Sequence, residues 1–144
     1  MQAYSNSWQF WALLAAIFAA LTAIFAKIGI ENVNSNFATF LRTLVVVAAF
    51  IPLLWFTGEF HSLSSLSSKT IIFLVLSGLA TGASWLCYFR ALQLGQAGQV
   101  APVDKMSVVF VAIIGALFLG ERLSITGWSG VALIAGGAVL VAVG

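Results

Sequence analysis

Long apolar runs separated by short polar breaks cover the whole chain. Five of the runs have close to the ~20 residues that an α-helix needs to cross a ~30 Å hydrocarbon core. They predict transmembrane helices over residues 8–28, 38–56, 70–92, 100–119 and 126–143. These runs are too long and too evenly apolar for barrel strands, whose side chains alternate between lipid and lumen. The pattern therefore predicts an all-α, polytopic integral membrane protein.

The polar breaks between these runs are short, and none of them is long enough to fold into a second domain. We therefore predict a single five-helix transmembrane domain over residues 1–144. Residues 1–7 contain no Lys or Arg, and the apolar run that follows is about twice as long as a signal-peptide core. We expect this first run to be a retained span of a multi-pass protein in the cytoplasmic membrane.

The composition strengthens the membrane assignment and excludes several classes of function. The 144 residues are 62% hydrophobic and 7% charged, against about 45–50% and about 25% in soluble domains. The net charge is only +2 and the basic residues are scattered, so we expect no nucleic-acid partner. With one cysteine and one histidine we expect neither a disulfide framework nor a bound metal, and we expect no other cofactor. The sequence contains no nucleophile beside a base and no paired carboxylates at a workable spacing, so we do not expect an enzyme.

The distribution of Lys and Arg gives only a weak orientation. Alternate crossing puts the breaks at 29–37 and 93–99 on one membrane face and those at 57–69 and 120–125 on the other. Lys and Arg tie at two per face near the helix ends, and adding those inside the helices favours the first face in the cytoplasm. A chain with so little preference could insert both ways, which makes an antiparallel homodimer one hypothesis for its assembly.

Three charged residues lie inside predicted helices rather than at their ends. Arg42 is about four residues into the second span, and Asp104 and Lys105 are four or five into the fourth. An intramembrane charge needs a partner or a water-filled cavity, and Asp104 pairs naturally with Arg42 or Lys105. We predict a polar substrate or coupling site from these three residues. In the alternative interpretation, the basic side chains reach the interface and bind lipid phosphate while Asp104 favours the start of its helix.

Pro102 lies two residues before Asp104 and disfavours a helical Ala101. We therefore expect the fourth helix to start or break there. The unpaired N–H groups of such a break could bind an anionic or carbonyl group at membrane depth.

One face of the third predicted helix is polar and aromatic. Residues at helical spacing place Thr81, Ser84, Trp85 and Tyr88 within one arc of that helix. Such a face suits a translocation path, since aromatic rings offer flat surfaces and hydroxyls offer hydrogen bonds. Hydrogen bonding between helices combined with an interfacial aromatic belt explains it equally well.

Four further charged residues lie at the predicted membrane boundaries. We interpret Lys27 and Arg90 as interface anchors, and Glu121 with Arg122 as an interface pair where the fourth span ends.

Small residues recur at helical spacing along several of the spans. Gly78 and Gly82 form a GxxxG, which we expect to mark close packing inside one chain rather than a dimer seam. The last span carries many glycines and alanines but no charge. We expect it to be a packing surface and a candidate interface helix.

Several segments occur in an order that resembles the EamA-type drug/metabolite transporters. They are IFAKIGI at 24–30, ATFLRT at 38–43, GLATGASWLCYFRALQLG at 78–95, VAPVDKMSVV at 100–109 and LFLGERL at 117–123. More narrowly, the chain is similar to the five-helix bacterial and archaeal branch, whose members look like half of a ten-helix transporter. The resemblance implies two five-helix units in opposite orientation around a central cavity, the second unit being a copy of this chain or a related partner.

The sequence thus favours a secondary transporter of small organic molecules that works as a dimer in contact with membrane lipid. Two alternatives remain, a dual-topology channel and a non-transporting subunit of a larger membrane complex.

Overall fold

Six α-helices and one 3-10 turn make up the described part of the chain, residues 7–144 of a computed structural model. The helices are α1 (Trp8–Gly29), α2 (Ser35–Thr57), α3 (Ser68–Leu94), α4 (Ala97–Asp104), α5 (Ser107–Phe118) and α6 (Ile125–Val143). The 3-10 turn is Leu63–Ser65. Five helical stretches are long and apolar enough to cross a membrane, with α4 and α5 together forming the fourth. The prediction of five spans is confirmed; residues 1–6 of the predicted domain lie outside the described residues.

Polar residues in the breaks set where two of the helices begin. The side chain of Asn34 accepts hydrogen bonds from the backbone N–H groups of Asn36 and Phe37, at 2.9 and 3.3 Å. Ser124 likewise accepts from the N–H of Gly127 at 3.1 Å, and α6 begins at the next residue. These caps satisfy N–H groups that have no partner within the helix. Because of the Asn34 cap, α2 begins three residues before the apolar run that predicted it.

The fourth span is interrupted, but not where Pro102 led us to expect. Its first helix, α4, begins at Ala97 and ends at Asp104, and the interruption falls at Lys105 and Met106. Ala101, expected to be extended, is helical. Pro102 is the sixth residue of α4, so the helix continues through it without a hydrogen bond from residue 102, since proline has no N–H. The expected open helix start at Pro102 is therefore wrong, and the charged pair Asp104 and Lys105 lies at the interruption itself.

One compact unit comprises the described residues up to Lys27 together with Leu94–Gly144. In it, α6 packs against α4 and α5, as expected of a packing helix. Ala138 of α6 and Gly115 of α5 are buried. The ammonium of Lys27 donates a hydrogen bond to the carbonyl oxygen of Gly95 at 2.8 Å. This bond ties the end of α1 to the turn that precedes α4.

The second compact unit, Ile28–Gln93, is a hairpin of α2 and α3. Its buried side chains lie towards the start of α2 and the end of α3; they are Ile30, Ser35, Thr39, Phe89 and Leu92. At the same end, the side-chain amide of Gln93 donates to the carbonyl oxygen of Val33 at 2.6 Å. In contrast, every residue from 68 to 80 in α3 is exposed. The contacts of this hairpin are therefore concentrated at one end.

The glycine pair of α3 lies beyond these contacts. Phe89, Trp85, Gly82 and Gly78 follow one another at spacings of three and four residues, so they share one face of the helix. A Cβ added at Gly78 or Gly82 would meet nothing within 4 Å. The expected close packing at this GxxxG inside the chain is therefore wrong for the described residues. The face that carries two aromatic contacts at one end continues as an open, small-residue surface at the other.

Candidate functional site

The centre of the candidate site is Arg42, which joins the two helices of the hairpin. Its guanidinium carbon lies 4.2 Å from the ring centroid of Trp85 and 5.4 Å from that of Phe89. Trp85 and Phe89 are four residues apart in α3, a spacing that puts two side chains on one helix face. One cation of α2 thus contacts two aromatic rings of α3, at the end where the hairpin is packed.

Arg42 lies well inside its span. It is the eighth residue of α2, so its Cα is about 10 Å along the helix from Ser35 at 1.5 Å per residue. Measured from the apolar run that begins at residue 38, Arg42 is four residues in, because the cap at Asn34 extends α2 into the polar break. Arg42 is half-buried, and Tyr88 of α3 is close enough to interact with it electrostatically. The structure therefore brings together three of the predicted site residues, Arg42, Trp85 and Tyr88.

The aromatic contacts offset part of the cost of placing a cation inside a span. That cost is from about 2.5 kcal/mol upward at the bilayer centre and smaller near the helix ends. A guanidinium over an aromatic ring recovers about 0.5–2 kcal/mol, with the larger figure for desolvated pairs. Arginine suits this arrangement better than lysine, because the guanidinium is planar and weakly hydrated. Within residues 28–93, no carboxylate forms an ion pair with Arg42 to supply the remainder.

The other two charged residues of the predicted site lie together in the first unit. Lys105 Nζ is 3.5 Å from a carboxylate oxygen of Asp104, with Asp104 half-buried and Lys105 exposed. Asp104 is the last residue of α4 and Lys105 follows it, so the pair is part of the interruption of the fourth span. Arg42 belongs to the other unit, and its pairing with Asp104 stays a prediction.

The two hydroxyl residues of the predicted path are exposed on α3. The hydroxyl of Thr81 donates to the carbonyl oxygen of Ser77 within the same helix, at 2.9 Å. Its donor is thus engaged, while its oxygen lone pairs are available to an external donor. Ser84 lies one residue before Trp85 on the same helix. Their role in a transport path stays a prediction.

Two predicted interface anchors make hydrogen bonds within their own units. Lys27 bonds to Gly95, as described above. Arg90 donates to the side-chain oxygen of Gln93 at 3.3 Å, and Gln93 in turn donates to the carbonyl oxygen of Val33. The role of Lys27 and Arg90 as interface anchors stays a prediction.

Glu121 lies over the last turns of α5. A Cβ added at Gly115 would come within 2.7 Å of a Glu121 carboxylate oxygen, and the N–H of Glu121 donates to the carbonyl oxygen of Gly115 at 3.1 Å. Glycine at this position therefore leaves room for the Glu121 side chain. Arg122 is exposed. Their role as an interface pair stays a prediction.

Two residues with long-range contacts in the hairpin were not predicted from the sequence: Phe89, which contacts Arg42, and Gln93, which bonds to Val33. Phe89 could have been found, because it lies four residues after Trp85 on the face already identified. Gln93 is harder to predict from the sequence, because a polar residue at the end of a span is expected at the membrane boundary whether or not it bonds to another helix.

Comparison with known proteins identifies the family of this chain. Residues 6–143 match the EamA-like transporter family. The chain belongs to the EamA-like transporter family. The resemblance found in the sequence is thereby confirmed over nearly the whole chain.

Two relatives illustrate the range of lengths among proteins similar to this EamA-like chain. An uncharacterized transporter in the cobO 3' region of Sinorhizobium sp. is 58% identical over 139 residues, which cover 96% of this chain and 99% of the relative. The uncharacterized transporter YxxF of Bacillus subtilis is 28% identical over 134 residues, which cover 92% of this chain and 42% of the relative. No solved structure matches.

The family and the five apolar helices together establish the setting in which the site works. This EamA-like protein is a multi-pass protein of the cell membrane, and its helices contact lipid. Arg42 and its aromatic neighbours accordingly lie within two membrane-spanning helices, α2 and α3.

Proposed function

We propose that this EamA-like protein is a secondary transporter of small organic molecules, with its substrate path beside Arg42. The observation that carries the proposal is the contact of Arg42 with Trp85 inside two spans. A cation held at that depth is expensive and is typical of substrate or ion pathways, where water or a ligand can reach it. The adjacent rings offer apolar surface to an organic molecule, and a few polar groups beside such surface are characteristic of ligand sites.

The working unit in this proposal contains two five-helix chains. The chain covers 42% of YxxF, so one copy corresponds to less than half of that longer transporter. Transporters built from two repeats bind their substrate where the repeats meet. The open small-residue face at Gly78 and Gly82 is of the kind through which membrane helices approach closely. We propose an antiparallel homodimer, with a related five-helix partner as the alternative source of the second unit.

Asp104 and Lys105 contribute a second polar element to the proposed mechanism. Asp104 is half-buried and paired with its neighbour at the interruption of the fourth span. A carboxylate in this setting can exchange a proton or change its partner as substrate arrives, which would couple transport to an ion gradient.

The transport proposal is tested in two steps with purified protein. Thermal unfolding is measured with a panel of organic cations, amino acids, organic anions and sugars, because a bound compound raises the unfolding temperature. Uptake of each stabilising compound is then measured in proteoliposomes. Saturable uptake, driven by a gradient and absent from empty vesicles, supports a secondary transporter. Uptake that does not saturate indicates a channel, and no uptake of any compound indicates a non-transporting subunit.

The dimer proposal is tested separately. Native mass spectrometry of the detergent-solubilised protein gives the number of copies, and reporters fused to the C-terminus give the orientation. A dimer with C-termini on both sides of the membrane supports the antiparallel homodimer. A single orientation contradicts it.

A further inference from the structure

We propose that Arg42 recognises an anionic group, a carboxylate or a phosphate, on the transported molecule. This inference rests on the proposed transport function and adds to it the chemical class of the substrate.

The first observation is the state of the Arg42 guanidinium. Its contacts within residues 28–93 are with aromatic rings, Trp85 at 4.2 Å and Phe89 at 5.4 Å. A guanidinium has five N–H donors and no acceptor, and it binds carboxylate or phosphate through two parallel hydrogen bonds. None of those donors is engaged by an acceptor of residues 28–93. The rings hold the cation in place and leave its hydrogen-bonding capacity to a ligand.

The second observation is the charge balance of the hairpin. Its three cations are Arg42, Lys69 and Arg90, and its two acids are Glu31 and Glu59. Both acids lie outside the helices that meet at Arg42, Glu31 before α2 and Glu59 after it. Glu59 accepts a hydrogen bond from the hydroxyl of Thr57 at 3.1 Å. Neither acid neutralises Arg42, so no carboxylate within residues 28–93 compensates its charge.

The third observation concerns the surface next to that cation. Trp85 and Tyr88 are half-buried and keep part of their surface accessible. An organic body attached to the anionic group could lie against the exposed parts of these two rings. A small inorganic anion would contact only the Arg42 guanidinium, so the geometry points to an organic anion.

Binding is tested directly on the purified full chain in an uncharged detergent. The probes are benzoate and phenyl phosphate, with the neutral isostere benzamide and the cation benzylammonium as comparisons. We expect benzoate and phenyl phosphate to raise the unfolding temperature and the other two to leave it unchanged. Stabilisation by benzylammonium without stabilisation by either anion would overturn the inference. So would the absence of any shift with all four probes.

Two substitutions then assign binding to Arg42. In Arg42→Gln we expect benzoate affinity to fall by roughly tenfold or more, because a charge-assisted bidentate pair is lost. Arg42→Lys keeps the charge without the planar fork, and we expect an intermediate loss. If Arg42→Gln does not fold, Arg42→Lys carries the test. The matched control is Lys69→Gln, which removes an exposed cation at the start of α3 and should keep wild-type affinity. Equal losses in Arg42→Gln and Lys69→Gln would contradict the assignment.

A lipid headgroup presents the same chemistry as a soluble anion, and a second arm separates the two. Unfolding is measured in micelles with added phosphatidylglycerol or phosphatidylcholine. If phosphatidylglycerol stabilises the wild type in an Arg42-dependent way while benzoate and phenyl phosphate do not, Arg42 is a lipid site and the inference is wrong. Arg42-dependent binding of benzoate or phenyl phosphate in phosphatidylcholine supports it.

The same measurements distinguish this inference from the transport proposal. Arg42-dependent anion binding without uptake in proteoliposomes would uphold the binding site and contradict transport. Saturable uptake of an organic cation, with no anion binding, would uphold transport and contradict the anionic substrate.

Discussion

The guanidinium of Arg42 in α2 lies over the ring of Trp85 in α3, 4.2 Å from its centroid. This contact and that with Phe89 join two helices at one end of their hairpin, while the glycine face further along α3 stays open. One side-chain pair therefore both stabilises the hairpin and forms the centre of the candidate site.

Replacing the ring tests the stabilising role. We expect Trp85→Leu to lower the free energy of unfolding by about 1–2 kcal/mol through loss of the cation–π contact. Trp55→Leu is the matched control, because Trp55 is 75% exposed near the end of α2 and lacks a described ring or cation contact. Unfolding of both variants is followed by circular dichroism in detergent. Losses of the same size in both would show that Arg42 and Trp85 contribute no specific stability.

Neutralising Asp104 tests its coupling role. We expect Asp104→Asn to express and fold like the wild type, because the side-chain volume is unchanged and the pair with Lys105 is only partly buried. Uptake driven by a proton gradient should be abolished or uncoupled from the gradient. The control is Glu59→Gln, at the exposed end of α2. Uptake by Asp104→Asn with the pH dependence of the wild type would remove Asp104 from the mechanism.

The glycine face of α3 gives a test of assembly. A Cβ at Gly78 meets nothing within 4 Å in the chain, so Gly78→Leu should leave the fold of one copy intact. If the face packs against a second copy, the leucine will separate the two helices and shift the protein towards monomer. Ala80→Leu, on the opposite side of α3, should not do so. Dimer fraction is measured by native mass spectrometry across a range of protein concentrations. An unchanged dimer in Gly78→Leu would place the interface elsewhere.

The bond between Lys27 and Gly95 predicts a local effect. We expect Lys27→Met to keep the apolar stem but lose the hydrogen bond, which for a partly exposed charged donor is worth about 1 kcal/mol. Hydrogen exchange should rise in residues 96–100 and stay unchanged in α2. Lys69→Met serves as the control for loss of a lysine charge. Faster exchange throughout the chain in Lys27→Met would indicate a global rather than a local role.

Gly115 and Glu121 allow a double-variant test. Alanine is about 1 kcal/mol better than glycine inside a helix, so a glycine with open space around it should gain stability on substitution. We expect this gain for Gly130→Ala, but a smaller one for Gly115→Ala, because the new methyl group displaces the Glu121 carboxylate. Adding Glu121→Ala removes that carboxylate, so Gly115→Ala should then gain as much stability as Gly130→Ala. Additive effects of the two changes would show that the residues do not interact.

The lengths of the apolar runs were enough to predict the five spans, because each run matches the thickness of a bilayer. The start of α2 was placed too late, since the cap at Asn34 extends the helix into a polar break. The interruption lies at Lys105 and Met106, beyond Pro102, where the backbone N–H of Met106 donates to the carbonyl oxygen of Val103 at 3.0 Å. Hydropathy registers neither this turn nor the cap at Asn34.

Part of the candidate site could also be predicted from the sequence, and part could not. Arg42 and Trp85 could be singled out because charge is rare in spans and aromatic residues share a helical face with hydroxyls. That their side chains touch could not be derived, since it depends on how two helices distant in sequence cross. The open surface at Gly78 could not be predicted either, because a GxxxG shows that the residues are small and does not identify which helix packs against them.

The divided fourth span also has a consequence for how the chain enters the bilayer. α4 has 8 residues and α5 has 12, which at 1.5 Å per residue are about 12 and 18 Å long. Neither segment alone reaches across a ~30 Å hydrocarbon core, so the two must enter the bilayer together as the single span Ala97–Phe118. Asp104 and Lys105 carry opposite charges at their junction, so the pair adds no net charge to that span.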